Sequence, residues 1–353
     1  MTSGSGTPAV TSPVPRPVWE SVLGSDPDAV VSQSLAWRDA LFASQRYQDV
    51  SLLYELPTGA RVILPMARRR HRPPWAAPTG SWPGPWGVGG PICEGGRISE
   101  AEAAAVLADV AQRGLLSVHI QLRHGDDSAW ARAAQRFRAT RHGCHVLDLD
   151  GGFGEVWQHR FRGTARTAIR KAERSGLDIE VDRSGRLLPV FSDLYEKSIQ
   201  RWAAMQHEPL WLSRWRTLRA TPAAMMAAVA WSFGDNCAVW LARSAGVPVA
   251  GLIVLRHGPY VKYWRGAMNK ELAAPVRANE YLHRLVIEDA CEQGYRYYEM
   301  GHSRPSSPLA AFKEKLGATL QVSHALQAER LPIHAAVEMS REMAKRMIGF
   351  RDV

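Results

Sequence analysis

The sequence is short of cysteine. Its four, Cys93, Cys144, Cys237 and Cys291, lie far apart, and none forms a CxxC or a Cys/His cluster at zinc spacing. They read as small reduced thiols of a reducing, cytoplasmic compartment rather than as a disulfide framework or a metal site. No run of about 18 apolar residues occurs, so no membrane span is expected. The N-terminus, MTSGSGTPAVTSPVPRP, lacks the basic and apolar regions of a signal peptide and reads as a disordered tail over residues 1–17. A P-loop pattern is missing too, so nothing points to ATP, a metal or another cofactor. Acidic residues are outnumbered: 34 Asp and Glu face 44 Lys and Arg, a net charge of +10 over 353 residues. That excess suits a polyanionic partner, nucleic acid or an anionic membrane surface, although an Ala- and Arg-rich chain also acquires it by compositional drift.

What is present is the pattern of a folded protein, 46% hydrophobic and 22% charged, long enough for two domains. Strands over Val50–Leu56 and Ala60–Met66 flank the turn Pro57-Thr58-Gly59. A basic cluster, Arg68, Arg69, Arg70 and Arg72, and a loop with Trp75, Trp82 and Trp86 come next. A helix from Ser99 to Gln112 follows, with Ser99 and Glu102 at capping-box spacing; Gly114 ends it and Leu115–Leu122 reads as a strand. The second half repeats this order. Cys237–Arg243 and Val247–Leu255 form a hairpin, Tyr260–Arg265 a third strand, and a helix from Arg277 ends at Gly294 before the strand Tyr295–Met300. The recurrence predicts two copies of one α/β unit.

Two further stretches carry chemistry. From Tyr297 to Gly317 a strand opens at Gly301 through a Ser/Pro loop into a short helix bearing Phe312 and Lys313. A strand that opens through a polar loop onto a helix is where α/β folds place ligands. Phe312, with Leu309 and Leu316, is expected to face the core, and Lys313 to reach into the crevice on a mobile stem. Between the two copies, HRFRGTARTAIRKAER places Phe161, Ala165, Ala168, Ile169 and Ala172 on one helical face and Arg162, Arg166, Arg170 and Arg174 on another, opposed only by Glu173. Such a stripe suits an external anion, or else is a solvated face paired with distant carboxylates.

Four segments in this order resemble the FemAB/FemX-like aminoacyltransferases of the GNAT fold: RTAIRKAERSGLDIEV, FSDLYEKSIQRW, VKYWRGAM with ANEYLHRLVIEDACEQGYRYYEMG, and AAFKEKLG. The resemblance spans most of residues 145–320. It implies two tandem GNAT-like acyltransferase domains of mixed α/β sheets with a cleft between them. The first would hold residues 18–147 plus 322–353, including a returning C-terminal helix at 335–348, and the second residues 148–321. It also implies transfer of an aminoacyl group from aminoacyl-tRNA to a primary amine of a small-molecule antibiotic intermediate or a peptidoglycan precursor, with no DNA partner. Lys313 would be catalytic. Phe312, Arg201, Tyr263, Tyr195 and Trp86 would bind substrate, and Arg162, Arg166, Arg170 and Lys171 would bind tRNA.

The chemistry fits without a cofactor. The aminoacyl ester is already activated, so the protein must supply approach geometry and stabilise an oxyanion. Glu299 and His302 are sequence neighbours that stay open as bases. The alternative donor is an acyl-CoA or acyl carrier. CoA requires a helix start offering backbone N–H groups to pyrophosphate, typically from a Gly-rich turn. The corresponding turn, Ala274-Pro275-Val276-Arg277-Ala278-Asn279, has no glycine. A non-catalytic nucleic-acid binder would need aromatics interleaved with the basic stripe, which has only Phe161.

Overall fold

The structure is a computed structural model that describes residues 8–331, except 74, 76, 126 and 127, together with 339–340, 342–343 and 345–351. The chain divides into two units: residues 1–143 with 321–335, and residues 144–320 with 336–353. In chain order the first opens with β1 (Ala9–Thr11), α1 (Arg16–Ser25), α2 (Leu35–Ala43), β2 (Tyr47–Asp49), β3 (Leu52–Glu55), β4 (Arg61–Leu64), β5 (Ala67–Arg69), β6 (Thr79–Gly80) and β7 (Ile92–Cys93). Then come α3 (Glu100–Gln112), β8 (Ser117–Gln121), α4 (Ser128–Ala133) and β9 (Arg138–Asp148), whose end enters the second unit. That unit holds α5 (Gly152–Glu155), α6 (Gly163–Glu173), β10 (Asp178–Asp182), α7 (Leu188–Gln206), α8 (Leu210–Ala220), α9 (Ala223–Phe233), β11 (Cys237–Ser244), β12 (Val247–His257) and β13 (Tyr260–Met268). It continues through α10 (Lys270–Ala273), α11 (Ala278–Glu292), β14 (Tyr297–His302) and α12 (Pro308–Lys315), after which β15 (Thr319–Glu329) rejoins the first unit.

In the first unit, α3 starts where its capping box dictates. Ser99 accepts from the Glu102 N–H, and the Glu102 carboxylate accepts from the Ser99 N–H. Its Ala103, Val106, Leu107 and Val110 join Val118 and Ile120 of β8 in one core. Gly114, at φ +69°, ends the helix where a side chain would be strained. The helix bridges the parallel pair β6–β8, in the strand run β15-β8-β6-β5-β2. The predicted hairpin forms as β3–β4, but it belongs to a separate sheet, β1-β3-β4-β7.

The second unit has the strand run β10-β11-β12-β13-β14-β9, antiparallel except for β13–β14, which α11 bridges. The β11–β12 turn is set by Ala245 and Gly246 at φ +48° and +78°, the two left-handed residues that a tight hairpin needs. Both strands read as continuous apolar runs because both faces are covered. Trp240, Ala242, Leu252 and Val254 share a core with Leu282, Val286 and Ala290 of α11. On the other face, a Cβ at Gly251 would lie 3.1 Å from the Phe191 ring of α7, so the bare Cα admits that ring.

The duplication is therefore real, but its counterparts differ from those expected. Each unit has a parallel pair bridged by a helix that ends at a left-handed glycine, Gly114 or Gly294. The strands matching β11–β12 are β2–β5, because β3–β4 is an insertion with its own sheet. The expected tail is also ordered from residue 8 onward, while residues 1–7 lie outside the described residues. Val10 pairs with Tyr54, and Pro17 sits in the first turn of α1, where its missing N–H costs nothing. Of the expected C-terminal helix, residues 335–338, 341 and 344 lie outside the described residues. The rest groups with the second unit, not the first, and the Arg351 N–H reaches the Gln206 carbonyl at 2.9 Å.

Candidate active site

β13 and β14 pair for only three positions, ending at Lys262 opposite Glu299. Beyond that point β13 stays with β12 as far as Met268, and β14 stays with β9 as far as His302. Each carries one extra residue just past the last shared pair: Trp264 on β13, where Tyr263 pairs with Val254 but Arg265 with Ile253, and Met300 on β14. A bulge bends and twists its strand, so two adjacent bulges part the strands. The opening starts over the Lys262–Glu299 ion pair, with Cys144 Sγ 3.8 Å from the same carboxylate. Burial, reinforced by the Glu299 charge, pushes the Cys144 thiol up to about 12, so it stays protonated.

The loop–helix after β14 brings Lys313 to this place. Ser307 caps α12 by accepting from the Ala310 N–H, and Pro308 fills the first turn. Lys313 is only 1% exposed. Its Nζ donates to the carbonyls of Gly301 at 2.8 Å and His302 at 2.9 Å. The lysine is thus fixed on the end of β14, not mobile as expected. Two of its three protons are used, and among the described residues no further hydrogen bond takes the third. Burial lowers its pKa to about 8; Cys144 and Glu299 pull upward and Lys262 pushes down.

Phe312 packs on the core as expected and meets the His283 ring edge-on at 5.3 Å. Leu316 is buried, but Leu309 is 48% exposed, because in the first turn of α12 it is Ala310 that faces inward. His283 is the centre of an aromatic cluster. Tyr263 lies 4.7 Å from it, and Tyr298 Oη is 2.8 Å from its Nδ1. Burial, with the charges of Lys313 and Lys315, lowers its pKa to about 3, so the imidazole is neutral. The Tyr263 hydroxyl folds back over Gly266, where an added Cβ would lie 2.1 Å from it.

The start of α11 is already occupied. Glu280, third in that helix and buried, accepts from Lys315 Nζ at 2.9 Å and lies 3.9 Å from Arg277. Arg277 itself is left-handed, at φ +55°. Neither Glu280 nor His283 stood out in the sequence, because their hydrogen-bonded partners, Lys315 and Tyr298, are distant in the chain.

The basic segment is not one helix. A π-helical turn, Val156–Arg160, precedes an extended step at Phe161 and Arg162, and α6 begins at Gly163. Arg166 therefore points back. Its Nη1 donates to the carbonyls of Trp157, Gln158 and Phe161 at 2.8–3.0 Å, closing the end of that turn instead of facing solvent. Arg162, Arg170 and Lys171 are exposed. Arg162 N–H also reaches the Lys315 carbonyl at 2.9 Å, which ties α6 to the end of α12.

Arg201 donates to the Met268 carbonyl at 3.1 Å, and burial lowers its pKa. Tyr195 stacks on Phe191 and meets Trp202 edge-on. Trp86, expected to bind substrate, is a core residue of the first unit, packed on Trp37 at 5.5 Å. Trp82 is likewise buried, with its Nε1 on the Ser32 carbonyl, and Trp75 is exposed. All four cysteines are free thiols.

A family model described as an acetyltransferase (GNAT) domain matches residues 159–314. No curated protein matches the chain. Among solved structures the chain is similar to FemX, at 12% identity and a TM-score of 0.65, over 90% of this chain and 96% of that one. It is also similar to L-PGS from Bacillus licheniformis, at 14% identity and a TM-score of 0.55, over 96% and 98%. A third is the C-terminal domain of an Agrobacterium fabrum protein assigned as a lysylphosphatidylglycerol synthetase, at 14% identity and a TM-score of 0.53, over 91% and 92%. With the parallel pair that parts over a helix-bridged opening, these likenesses show that the chain has a FemX-like fold, and that residues 159–314 match the GNAT domain.

Proposed function

We propose that the protein moves an aminoacyl group from aminoacyl-tRNA to a primary amine of a small-molecule or peptide acceptor, forming an amide. The observation that carries this reading over an acyl-CoA donor is the buried Glu280 carboxylate at the start of α11. A diphosphate at that helix start would meet a negative charge already paired with Lys315. The exposed cations of α6 offer a longer anion another footing. The structural neighbour assigned as a lysylphosphatidylglycerol synthetase fits transfer of an aminoacyl group. In this reading Lys313 opposes the developing oxyanion, Phe312 anchors it, and Arg201, Tyr263 and Tyr195 hold the acceptor. The test is to capture tRNA from the native host, sequence it, and assay that charged tRNA beside acetyl-CoA. Transfer from tRNA alone is expected; transfer from CoA alone would overturn the reading.

The paired substitution Arg170→Ala with Lys171→Ala is expected to weaken tRNA binding and to lower its salt slope by about 1 for each phosphate left without its cation. Arg166→Ala is the contrast. It strips three carbonyls of their partner, so it should cost roughly 1–2 kcal/mol of stability and leave the salt slope unchanged. Equal slopes for wild type and the paired variant, measured by filter binding, would reduce α6 to a solvated face.

For the acceptor, Arg201→Ala should raise KM by roughly 10-fold or more, the worth of one charged hydrogen bond, with the donor KM little changed. If both KM values rise together, Arg201 only braces Met268.

A further inference from the structure

Helix α8 is turned inside out. Trp211, Trp215 and Leu218, at i, i+4 and i+7, share one face and are 70%, 57% and 43% exposed. The one fully buried side chain of the helix is Ser213, whose hydroxyl has no partner among the described residues. An isolated exposed apolar residue is ordinary, but an aromatic face directed at water while a serine is buried is not. The next helix repeats the feature: Trp231 of α9 is 89% exposed. In the C-terminal segment Met339, Met343 and Met347 are exposed at the same four-residue spacing. That segment is tied to the end of α7, just before α8, by the bond from Arg351 N–H to the Gln206 carbonyl.

The charges of α8 are of one sign. It carries Arg214, Arg216 and Arg219 and no acid. Arg214 and Arg216 lie on the flanks, paired with Glu196 and Glu208, and the Arg219 guanidinium sits 5.0 Å over the Trp215 ring. Tryptophan with arginine reaching from its edge is the composition of a helix that lies in the headgroup layer of a bilayer. Stacking of RNA bases would also use tryptophan and arginine, but α9, AAMMAAVAWSF, has no cation to meet a phosphate near Trp231. No described helix is long and apolar enough to cross a membrane.

We propose that the face of α8 formed by Trp211, Trp215 and Leu218 docks the second unit on an anionic lipid surface. This does not depend on which donor the enzyme uses. The experiment is co-sedimentation of the full chain with vesicles of phosphatidylcholine alone and of phosphatidylcholine with phosphatidylglycerol in equal parts. Binding is expected to the anionic vesicles, weakened by salt, and about 10-fold weaker or more for Trp211→Ser with Trp215→Ser, as befits two lost interfacial rings. Both residues are exposed, so the variant should keep the wild-type melting curve. The proposal is overturned if wild type ignores the anionic vesicles, or if the double variant binds them equally. It is also overturned if the same substitutions abolish tRNA binding or dissolve a dimer while vesicle binding is absent.

Discussion

Lys313→Met is expected to lower kcat by about 10²–10³-fold, the usual cost of removing one oxyanion stabiliser. The side chain it replaces is buried and already positioned by the Gly301 and His302 carbonyls, so its third proton needs no reorganisation to meet a developing charge. Those carbonyls would lose their donor, so the variant should also lose roughly 1–3 kcal/mol of stability. The pH profile separates the two effects. Burial lowers the Lys313 pKa from 10.5 to about 8. If the ammonium acts, wild-type kcat falls as pH rises through about 8, and the methionine variant lacks that limb. Stability moves the other way. Between pH 8 and 10.5 the folded protein binds fewer protons than the unfolded chain, so stability rises across that window in wild type and not in the variant. Lys315→Met is the control. It breaks the pair with Glu280 and should cost stability while sparing kcat. Normal kcat in Lys313→Met with loss in Lys315→Met would place the reacting centre on the other side of α12.

Gly317→Ala is expected to destabilise the second unit by at least about 3 kcal/mol, through a left-handed backbone and a steric clash together. Gly317 has φ +83°, and a Cβ there would lie 2.7 Å from the Arg160 carbonyl oxygen. The obstacle is backbone, so no rotamer can relieve it. Gly294→Ala shares the left-handed φ, at +78°, with nothing within 4 Å of the added methyl, and isolates the conformational part. Thermal melts of the two variants should therefore differ by the clash alone. Equal melting temperatures would mean that the 160–162 segment moves freely against α12. In that case the bond from Arg162 N–H to the Lys315 carbonyl holds nothing.

Much of the architecture is legible in the sequence because it is written in local chemistry. The Ser99–Glu102 box, the glycines after α3 and α11, and the β11–β12 turn each depend on residues within a few positions. The strand, loop and helix that carry Lys313 are legible for the same reason. Its fixation is not, because the partners are backbone carbonyls 11 and 12 residues away in the chain. The arginine stripe misleads because helical spacing runs on through Phe161 and Arg162, where the backbone is extended. Trp86 is ambiguous in sequence, since an aromatic loop looks alike whether it lines a pocket or fills a core. Tyr263 resists a two-residue alternation because the bulge breaks it: Val261, Trp264 and Ala267 are buried at every third position of β13. The hydrogen bonds of Glu280 and His283 are to tertiary partners, Lys315 and Tyr298.

That bulge puts one of the two bends that form the opening under the control of a single codon. Residues 265–268 take their faces from their partners on β12, and those pairings do not involve Trp264. An in-frame deletion of Trp264 would leave every one of them in register. It would remove the bend that carries β13 away from β14 and leave the Met300 bulge of β14 to hold the opening alone. A lineage that lost this codon would keep a folded domain of nearly unchanged composition with a narrower opening. In an alignment of such sequences, a one-residue gap in this strand would mark the chains in which β14 alone bends away.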